Sequence, residues 1–465
     1  MIDAKLFKKY DIRGRAMGDH PPLTNDAARM IGRAFGHYLR RVEGKSTAVV
    51  GRDNRLTSPA LAEAAIEGLR AASIHVFDIG LTSTPLVYWH ALHQNSAGGM
   101  MVTGSHLAPD QNGFKLSVGA RNLYGDDLQA LRASIEASSA PGALDETPIL
   151  GRLTTIDRPL DAYYDEIIPK IRMARPLKVV VDAGNGTGGL IAPELLRRWG
   201  HEVTCLFCEP DGLYPNHQPD PAEPENMNAL GDKVREVGAD IGLAFDGDAD
   251  RVGVVDEHGA MIVADRVLAL LARDMLARHP GASVVGDVLS SQVLFDAVAS
   301  AGGSPVMWAS GHSLVKAKMA EIGALLGGEQ SGHIFMGEDF YGYDDAFFVA
   351  GRLLALLSAS DQPLSALDAG LPRLFSTPEY RPRCPDDLKA TVIEGVGRSL
   401  AGKGELVSVD GIRIKFPRGW GLLRASNTEP VLSLRFEGET EADATAYRDL
   451  FFEALAAYPQ VELNK

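Results

Sequence analysis

Short apolar runs along this chain alternate with amphipathic stretches, and the alternation occurs three times over. In the first round Ser46–Arg52 predicts a strand. Ser58–Ala72 has helical spacing with Pro59 in its first turn, and His75–Gly80 predicts a second strand. A helix from about Pro85 and a strand Gly98–Val102 then lead into Thr103-Gly104-Ser105-His106. The second round runs through strand Lys178–Val181, a helix after Gly189, strand Val203–Phe207, helix Asn226–Val237 and strand Ile241–Phe245, and ends at Asp246-Gly247-Asp248-Ala249-Asp250-Arg251. The third has strand Ser283–Val288, helix Gln292–Ala301, strand Pro305–Trp308, helix Leu314–Ile322 and strand Ala324–Leu326. It ends at Gly327-Gly328-Glu329-Gln330-Ser331-Gly332-His333.

Alternation of strands and helices predicts mixed or mostly parallel sheets covered by helices, in which ligands bind beyond the carboxyl ends of the strands. Each round puts its most polar, glycine-rich sequence at that place, so one site built by three domains is the economical expectation. After Pro372 the character changes. A strand near Glu379–Arg383, a helix Asp386–Leu400, strands Glu405–Phe416, Trp420–Ala425 and Val431–Phe436, and a helix from Ala442 to about Ala457 predict a small α+β domain, with the polar insert Arg424-Ala425-Ser426-Asn427-Thr428-Glu429-Pro430. The expected class is α/β: three similar mixed α/β domains over residues 1–153, 154–258 and 259–371, and a smaller C-terminal α+β domain over 372–465.

Composition narrows the function. Apolar residues at 45% and charged residues at 23% are those of an ordinary globular chain, long enough for several domains. A formal net charge of −15 without a basic stripe argues against nucleic acid as a partner. An anionic substrate then needs local cations and backbone donors. Charges break every greasy stretch well short of the about 18 residues of a membrane span, and the start lacks the apolar segment of a signal peptide. With three cysteines, an odd and small number, the expectation is a cytoplasmic protein that meets no membrane. Cys205 and Cys208 form a lone Cys-x-x-Cys in an apolar run, without the further ligands that zinc requires.

Asp246, Asp248 and Asp250 crowd three carboxylates into five residues, an arrangement that needs a cation; hard oxygen ligands favour Mg²⁺ or Ca²⁺. An EF-hand is excluded because Arg251 stands where its glycine belongs and apolar strands flank the loop. Ser105 alone reads as a turn residue, with Lys115 further on. Adjacent to His106 it is an unpromising nucleophile–base pair, because neighbouring side chains rarely face each other, and no Gly-x-Ser-x-Gly elbow is present. Beside a three-carboxylate metal site, however, the metal would offset the charge on the oxygens of a phosphoryl group carried by Ser105 and make Ser105 a good leaving group. Glu329, Ser331 and His333 offer groups suited to sugar hydroxyls. Arg424, Ser426, Asn427 and Thr428 have the composition of a phosphate cradle or of a hairpin loop. Arg13 and Arg251 read as ion-pair or site residues, and His312 as a core histidine or a proton carrier. Gly184-Asn185-Gly186-Thr187-Gly188-Gly189 after a strand matches a dinucleotide fingerprint, with Glu209 where a ribose-binding acid belongs. That rival leaves the Asp, Ser and Arg loops unexplained.

Taken in order, Thr-Gly-Ser-His, Asp-Gly-Asp-Ala-Asp-Arg, Gly-Glu-Gln-Ser-Gly-His and Arg-Ala-Ser-Asn-Thr-Glu-Pro resemble the α-D-phosphohexomutase superfamily over essentially the whole chain. Ser426-Asn427-Thr428, Tyr10-Asp11-Ile12-Arg13 and Gly311-His312-Ser313-Leu314-Val315-Lys316 resemble its phosphomannomutase/phosphoglucomutase branch, whereas the phosphoglucosamine mutase branch usually carries Ser-Gly-Thr in the phosphate loop. The resemblance implies four domains around one central cleft, the fourth closing over substrate. It implies a hexose phosphate substrate moved between its 1- and 6-phosphates, Mg²⁺ as cofactor, glucose or mannose 1,6-bisphosphate as activator, and a monomer or weak dimer. Ser105 would be the phosphoserine and a metal ligand with Asp246, Asp248 and Asp250. Lys115 and His312 would handle protons, and Arg13 and Arg251 would steady the transferring group. Glu329 and Ser331, with His333, would bind the sugar. Arg424, Ser426, Asn427 and Thr428, with Tyr10, would hold the idle phosphate.

The chain departs from the family pattern at Leu107 and Ala108, where Asn-Pro commonly follows Ser-His; at Leu289, where a lysine commonly ends Asp-Val-Lys; and at Ala309, in place of a basic residue. These changes remove a loop-shaping amide and two cations. A phosphoglucosamine mutase, which Glu329-Gln330-Ser331 would suit, and a sugar-phosphate-binding pseudoenzyme, which the missing lysine and altered Ser loop motivate, are the alternative readings.

Overall fold

We describe the protein from a computed structural model, over residues 2–94, 98–138, 149–426 and 430–463. The chain divides into two compact units, one of Met1–Ala264 with Ser331–Ser365 and one of Asp265–Gln330 with Ala366–Lys465.

The first unit is built on two sheets. In one, the β-branched and small residues of Thr47–Arg52 place this strand centrally, parallel to both His75–Leu81 and Gly98–Val102. The sheet then turns antiparallel: Gln111–Val118 pairs with Gly98–Val102 on one side and with Ile12–Arg15 on the other, which puts Lys115 and Arg13 on the same strand ladder. In the second sheet Lys178–Asp182 lies parallel to Glu202–Leu206 and Ile241–Phe245, and Val252–Val255 returns antiparallel beside the last of these. Ile241–Phe245 is buried at every position, so its polar sequence begins at the first residue past the strand, Asp246. Helix Ala346–Ala359 belongs to this unit although it lies far along the chain. Buried Asp345 caps it by accepting from the N–H groups of Phe347 (3.0 Å) and Phe348 (2.9 Å), and also accepts from Tyr163 Oη at 2.8 Å. A Cβ on Gly351 would lie 2.5 Å from the Trp199 ring, so this helix face requires a glycine.

The second unit combines the parallel strands Ser304–Trp308, Ser283–Asp287 and Leu326–Gly328 with an antiparallel sheet in the order Phe375–Ser376, Leu432–Gly438, Gly419–Ala425, Ile412–Phe416 and Glu405–Val407. The expected strand Glu405–Phe416 is two strands, broken at a turn in which Gly411 has φ +81°. The strand expected near Glu379–Arg383 is reduced to isolated bridges at Tyr380 and Arg383. Within this unit a buried polar cluster joins the loop after Ser283–Asp287 to the antiparallel sheet. The Arg413 guanidinium stacks 3.7 Å from the Trp420 ring and donates to the carbonyls of Val288 and Ser290, both at 2.6 Å. Arg435 donates to the Leu289 carbonyl at 2.8 Å, and Leu289 packs on an apolar cluster of Val288, Trp420 and Leu422.

Among the described residues no helix is long and apolar enough to cross a membrane. His201, in the first unit, gives a pH signature. Its Nδ1 accepts from the Leu177 N–H at 3.1 Å, which requires the neutral ring, and burial pushes its pKa down to about 4. The unfolded chain takes up a proton near the ordinary value of about 6.5. This contribution to stability is therefore complete above about pH 6.5 and is lost as pH falls toward about 4. His201→Asn keeps an acceptor for Leu177 without the titration. Its acid unfolding curve should be flatter than that of the wild type over this window by about 2 kcal/mol, as read by denaturant melts at stepped pH.

Candidate active site

Two loops of the first unit meet where Gly247 packs on the Ser105 carbonyl, which brings Ser105 to the aspartate cluster. Ser105 lies two residues past Gly98–Val102's following Thr103 turn, with φ +50°, a left-handed conformation that is uncommon for serine. Its N–H donates to Thr103 Oγ1 at 2.8 Å. A Cβ on Gly247 would run into the Ser105 carbonyl, so only glycine lets the two loops pack together. The outcome is a hydrogen bond from Ser105 Oγ to Asp246 Oδ2 at 2.9 Å. The left-handed turn also brings Ser105 Oγ within 3.2 Å of His106 Nδ1, contrary to the expectation that these neighbours would not face each other. His106 is kept neutral: burial, and then the cations of Arg251, Arg13 and Lys115, hold its pKa well below the ordinary value.

Asp246, Asp248 and Asp250 are fully buried and carry carboxylate oxygens within 4.8 Å of one another. Ala249 is left-handed at φ +56°, which folds the loop so that alternate carboxylates converge. Asp246 Oδ1 accepts from the N–H groups of Asp250 (3.1 Å) and Arg251 (3.2 Å). Lys115 Nζ donates to Asp248 Oδ2 at 2.6 Å and also to Asp250. Thr84 binds Asp248 twice, through its hydroxyl and through its N–H to the Asp248 carbonyl at 2.9 Å. Burial, followed by the charges of Asp248 and Asp250, raises the Asp246 carboxyl to about 7. Burial also opposes charge on Asp248, but the Lys115 ammonium and the Lys115 and Thr84 hydrogen bonds outweigh it and hold its carboxyl below the usual range. Lys115 is likewise disfavoured as a cation by burial, and Asp248 and Asp250 more than restore the charge.

This donor set suits a hard divalent cation. It contains three carboxylates and a hydroxyl, and Asp248 Oδ1 is buried without a hydrogen-bond partner. Arg251, buried beside it, donates from Nε to Asp246 (3.2 Å) and from Nη1 to Asp220 (3.1 Å) and to the Ser331 carbonyl (3.4 Å). His333 Nδ1 lies 3.1 Å from Asp344 Oδ2 and 3.8 Å from Asp250 Oδ1. Arg13 pairs with Asp11, and Tyr10 is half-buried next to Lys9. The glycine-rich stretch that imitates a dinucleotide fingerprint has the N–H groups of its first four residues occupied. Gly184 donates to Asp182, Asn185 to Phe207, Gly186 to Ala183, and Thr187 to Gly247, this last at 3.0 Å. It buttresses the aspartate loop, and these four N–H groups are already engaged.

In the second unit Glu329 is buried, accepting from the Gly311 N–H at 2.5 Å and from Ser310 Oγ at 3.3 Å. Gly311, at φ +137°, starts the helix His312–Ile322, which places buried His312 at its first position. Arg424 Nη2 pairs with Asp410 Oδ2 at 2.8 Å, and Asp410 also accepts from the Ser310 N–H at 3.3 Å. Arg424 and Glu329 are thus linked through Asp410 and Ser310. The Ser426 carbonyl accepts from Lys389 Nζ at 2.9 Å, while Asn427 and Thr428 lie outside the described residues. Sequence reasoning missed Thr84, Asp220, Asp344 and Asp410, which have no local motif and are recruited by the fold.

The chain is similar to known proteins over nearly its whole length. Residues 4–141, 161–259 and 264–375 match the models of phosphoglucomutase/phosphomannomutase α/β/α domains I, II and III, and 381–454 match that of the C-terminal domain. The chain is 44% identical over 461 residues to a phosphomannomutase/phosphoglucomutase of Pseudomonas aeruginosa, covering 98% of this chain and 96% of that protein. It is 42% identical over 468 residues to a phosphoglucomutase of Neisseria gonorrhoeae, covering 99% and 98%. A crystal structure of a phosphoglucomutase/phosphomannomutase family protein from Burkholderia thailandensis superposes with a TM-score of 0.92 at 42% identity, covering 99% of both chains.

Proposed function

Because the chain belongs to the phosphoglucomutase/phosphomannomutase family and is thereby a hexose-phosphate mutase of the isomerase class, we propose that it moves a phosphoryl group between the C1 and C6 oxygens of glucose and mannose phosphates by way of Ser105. The observation that carries this reading is the Ser105 Oγ–Asp246 hydrogen bond of 2.9 Å beside three buried carboxylates. An ordinary turn serine has no need of such a setting. Phosphoserine 105 gives its phosphoryl group to the free sugar hydroxyl: the P–Oγ bond breaks, a P–O bond to the sugar forms, and the hydroxyl proton passes to a base. The resulting 1,6-bisphosphate turns round and returns its other phosphoryl group to Ser105, releasing the isomeric monophosphate. A Mg²⁺ held by Ser105, Asp246, Asp248 and Asp250 would offset the charge on the transferring oxygens.

Lys115 and His312 serve the proton transfers, and Arg251 with Arg13 steadies the moving group. Glu329, Ser331 and His333 bind sugar hydroxyls. Arg424, Ser426, Asn427 and Thr428, with Tyr10, hold the phosphate that is not reacting. Both orientations of the bisphosphate must be accepted, so recognition rests on hydroxyls and a generic phosphate cradle. Added glucose or mannose 1,6-bisphosphate acts as activator by restoring a lost phosphate to Ser105. The four matched segments support domains at 1–153, 154–258, 259–371 and 372–465. The free thiols of Cys205, Cys208 and Cys384 support a cytoplasmic setting, and we take the enzyme as a monomer or weak dimer.

With Mg²⁺ and a trace of bisphosphate, glucose 1-phosphate and mannose 1-phosphate should be converted to their 6-phosphates, and peptide mass mapping should find phosphate on Ser105. Preference for glucosamine 6-phosphate would move the assignment to a phosphoglucosamine mutase. Sugar-phosphate binding without turnover, the alternative that Leu289 and the altered Ser loop at Leu107 and Ala108 motivate, would make it a pseudoenzyme.

A further inference from the structure

Beneath the Ser105 loop lies a guanidinium that takes no part in the reaction as drawn. Arg55 is fully buried, and its two terminal nitrogens go to backbone carbonyls of one loop. Its Nη2 donates to the carbonyls of Ser105 (2.8 Å) and Leu107 (2.7 Å), and its Nη1 to those of Ala108 (2.6 Å) and Gln111 (3.0 Å). Its Nε lies 3.2 Å from Asp53 Oδ2, which also accepts from the Gly104 N–H at 3.2 Å. Asp53 Oδ1 accepts from the Arg55 N–H at 3.0 Å and from Ser58 Oγ, and that hydroxyl accepts from Asn112 Nδ2 at 2.9 Å. A Cβ on Gly104 would stand 2.6 Å from the guanidinium carbon, so the glycine of the loop is the space that Arg55 occupies.

We propose that Arg55, oriented by Asp53, is a positioning residue for phosphoryl transfer: it fixes the Ser105 loop so that Oγ points at the aspartate cluster. The inference rests on Ser105 being the phosphoryl carrier. Its physical basis is that a non-glycine residue in the left-handed region is strained and persists only where its surroundings over-determine it. Four carbonyls converging on one planar, five-donor cation supply that constraint, and the point-like ammonium of lysine cannot match the fork. Arg55 touches no oxygen of the Ser105 side chain; its effect passes through the backbone. The same contacts explain why the loop holds its form with Leu107 and Ala108 in place of the usual residues: it is gripped by its carbonyls, and side-chain identity matters little there.

A misplacement of about 1 Å at a reacting atom costs about 10²-fold in rate. Full-length Arg55→Lys, assayed with Mg²⁺ and glucose 1,6-bisphosphate, should therefore lose about 10²-fold in kcat, with KM for glucose 1-phosphate within about threefold of wild type. Phosphate transfer from the bisphosphate to Ser105, followed by mass spectrometry, should slow by a similar factor. Ser58→Ala, which removes one hydrogen bond to Asp53 and leaves Arg55 in place, should lose a smaller part of kcat, about three- to tenfold, again at constant KM. A role in folding alone would lower the melting temperature but leave kcat per phosphorylated Ser105 unchanged in both variants, and that result overturns the proposal. Should Arg55→Lys fail to fold, Ser58→Ala decides, and unaltered kcat there is equally fatal. Absence of phosphate on Ser105 in the wild-type enzyme would defeat the underlying reading itself, a distinct outcome.

Discussion

Ser105→Ala should lose about 10³-fold or more of hexose-phosphate mutase turnover while remaining folded, because no oxygen is left to receive or give the phosphoryl group. The substitution keeps a Cβ in the left-handed position that Ser105 already occupies at φ +50°, so it adds no new backbone strain. It deletes the 2.9 Å hydrogen bond to Asp246, whose same oxygen retains the Arg251 Nε donor at 3.2 Å. The stability change should accordingly stay within about 1 kcal/mol. Circular dichroism melts and a coupled assay for glucose 6-phosphate, run on the same preparation, separate the two effects. Turnover near the wild-type level would refute the role given to Ser105.

Lys115→Met carries the second large effect, this time in stability. In the wild type the Lys115 ammonium lies between Asp248 and Asp250, with all three side chains buried. The thioether fills similar volume but leaves two buried carboxylates facing each other, with Asp248 Oδ1 already unpartnered. Removing one member of such a buried pair costs about 3–5 kcal/mol. Urea melts in the presence of a chelator should show that loss. Millimolar Mg²⁺ should recover part of it, since ligand that binds only the folded chain stabilises it. Equal melts for variant and wild type, with and without Mg²⁺, would show that the aspartates need neither cation.

The repeating strand–helix order and the position of each polar loop were legible in the sequence because both follow from local periodicity. Ile241–Phe245 is apolar and ends where Asp246 begins, and the structure keeps that boundary to the residue. The residues that could not be read are those recruited by tertiary approach. Thr84 opens a helix of its own and meets Asp248 only because the two sheets of the first unit adjoin. Arg55, in Asp53-Asn54-Arg55-Leu56, carries no local signal of the four carbonyls that close over it. Asp410 was hidden inside an expected long strand; the left-handed Gly411 breaks that strand and turns Asp410 toward Arg424. Ser105 and His106 face each other for a similar reason, a single positive φ that no side-chain pattern announces.

The Arg413–Trp420 stack described above also bears on how the chain is put together. The loop Val288–Ser290 relies on arginines from the antiparallel sheet to satisfy its carbonyls, and Leu289 relies on that sheet for cover. Cut away from this sheet, the segment would present a greasy patch to water, and its carbonyls would exchange fixed guanidinium donors for solvent. The loop after Ser283–Asp287 thus takes its cover from residues 123 to 146 positions further along the chain, so its final form waits on a late-made part of the protein.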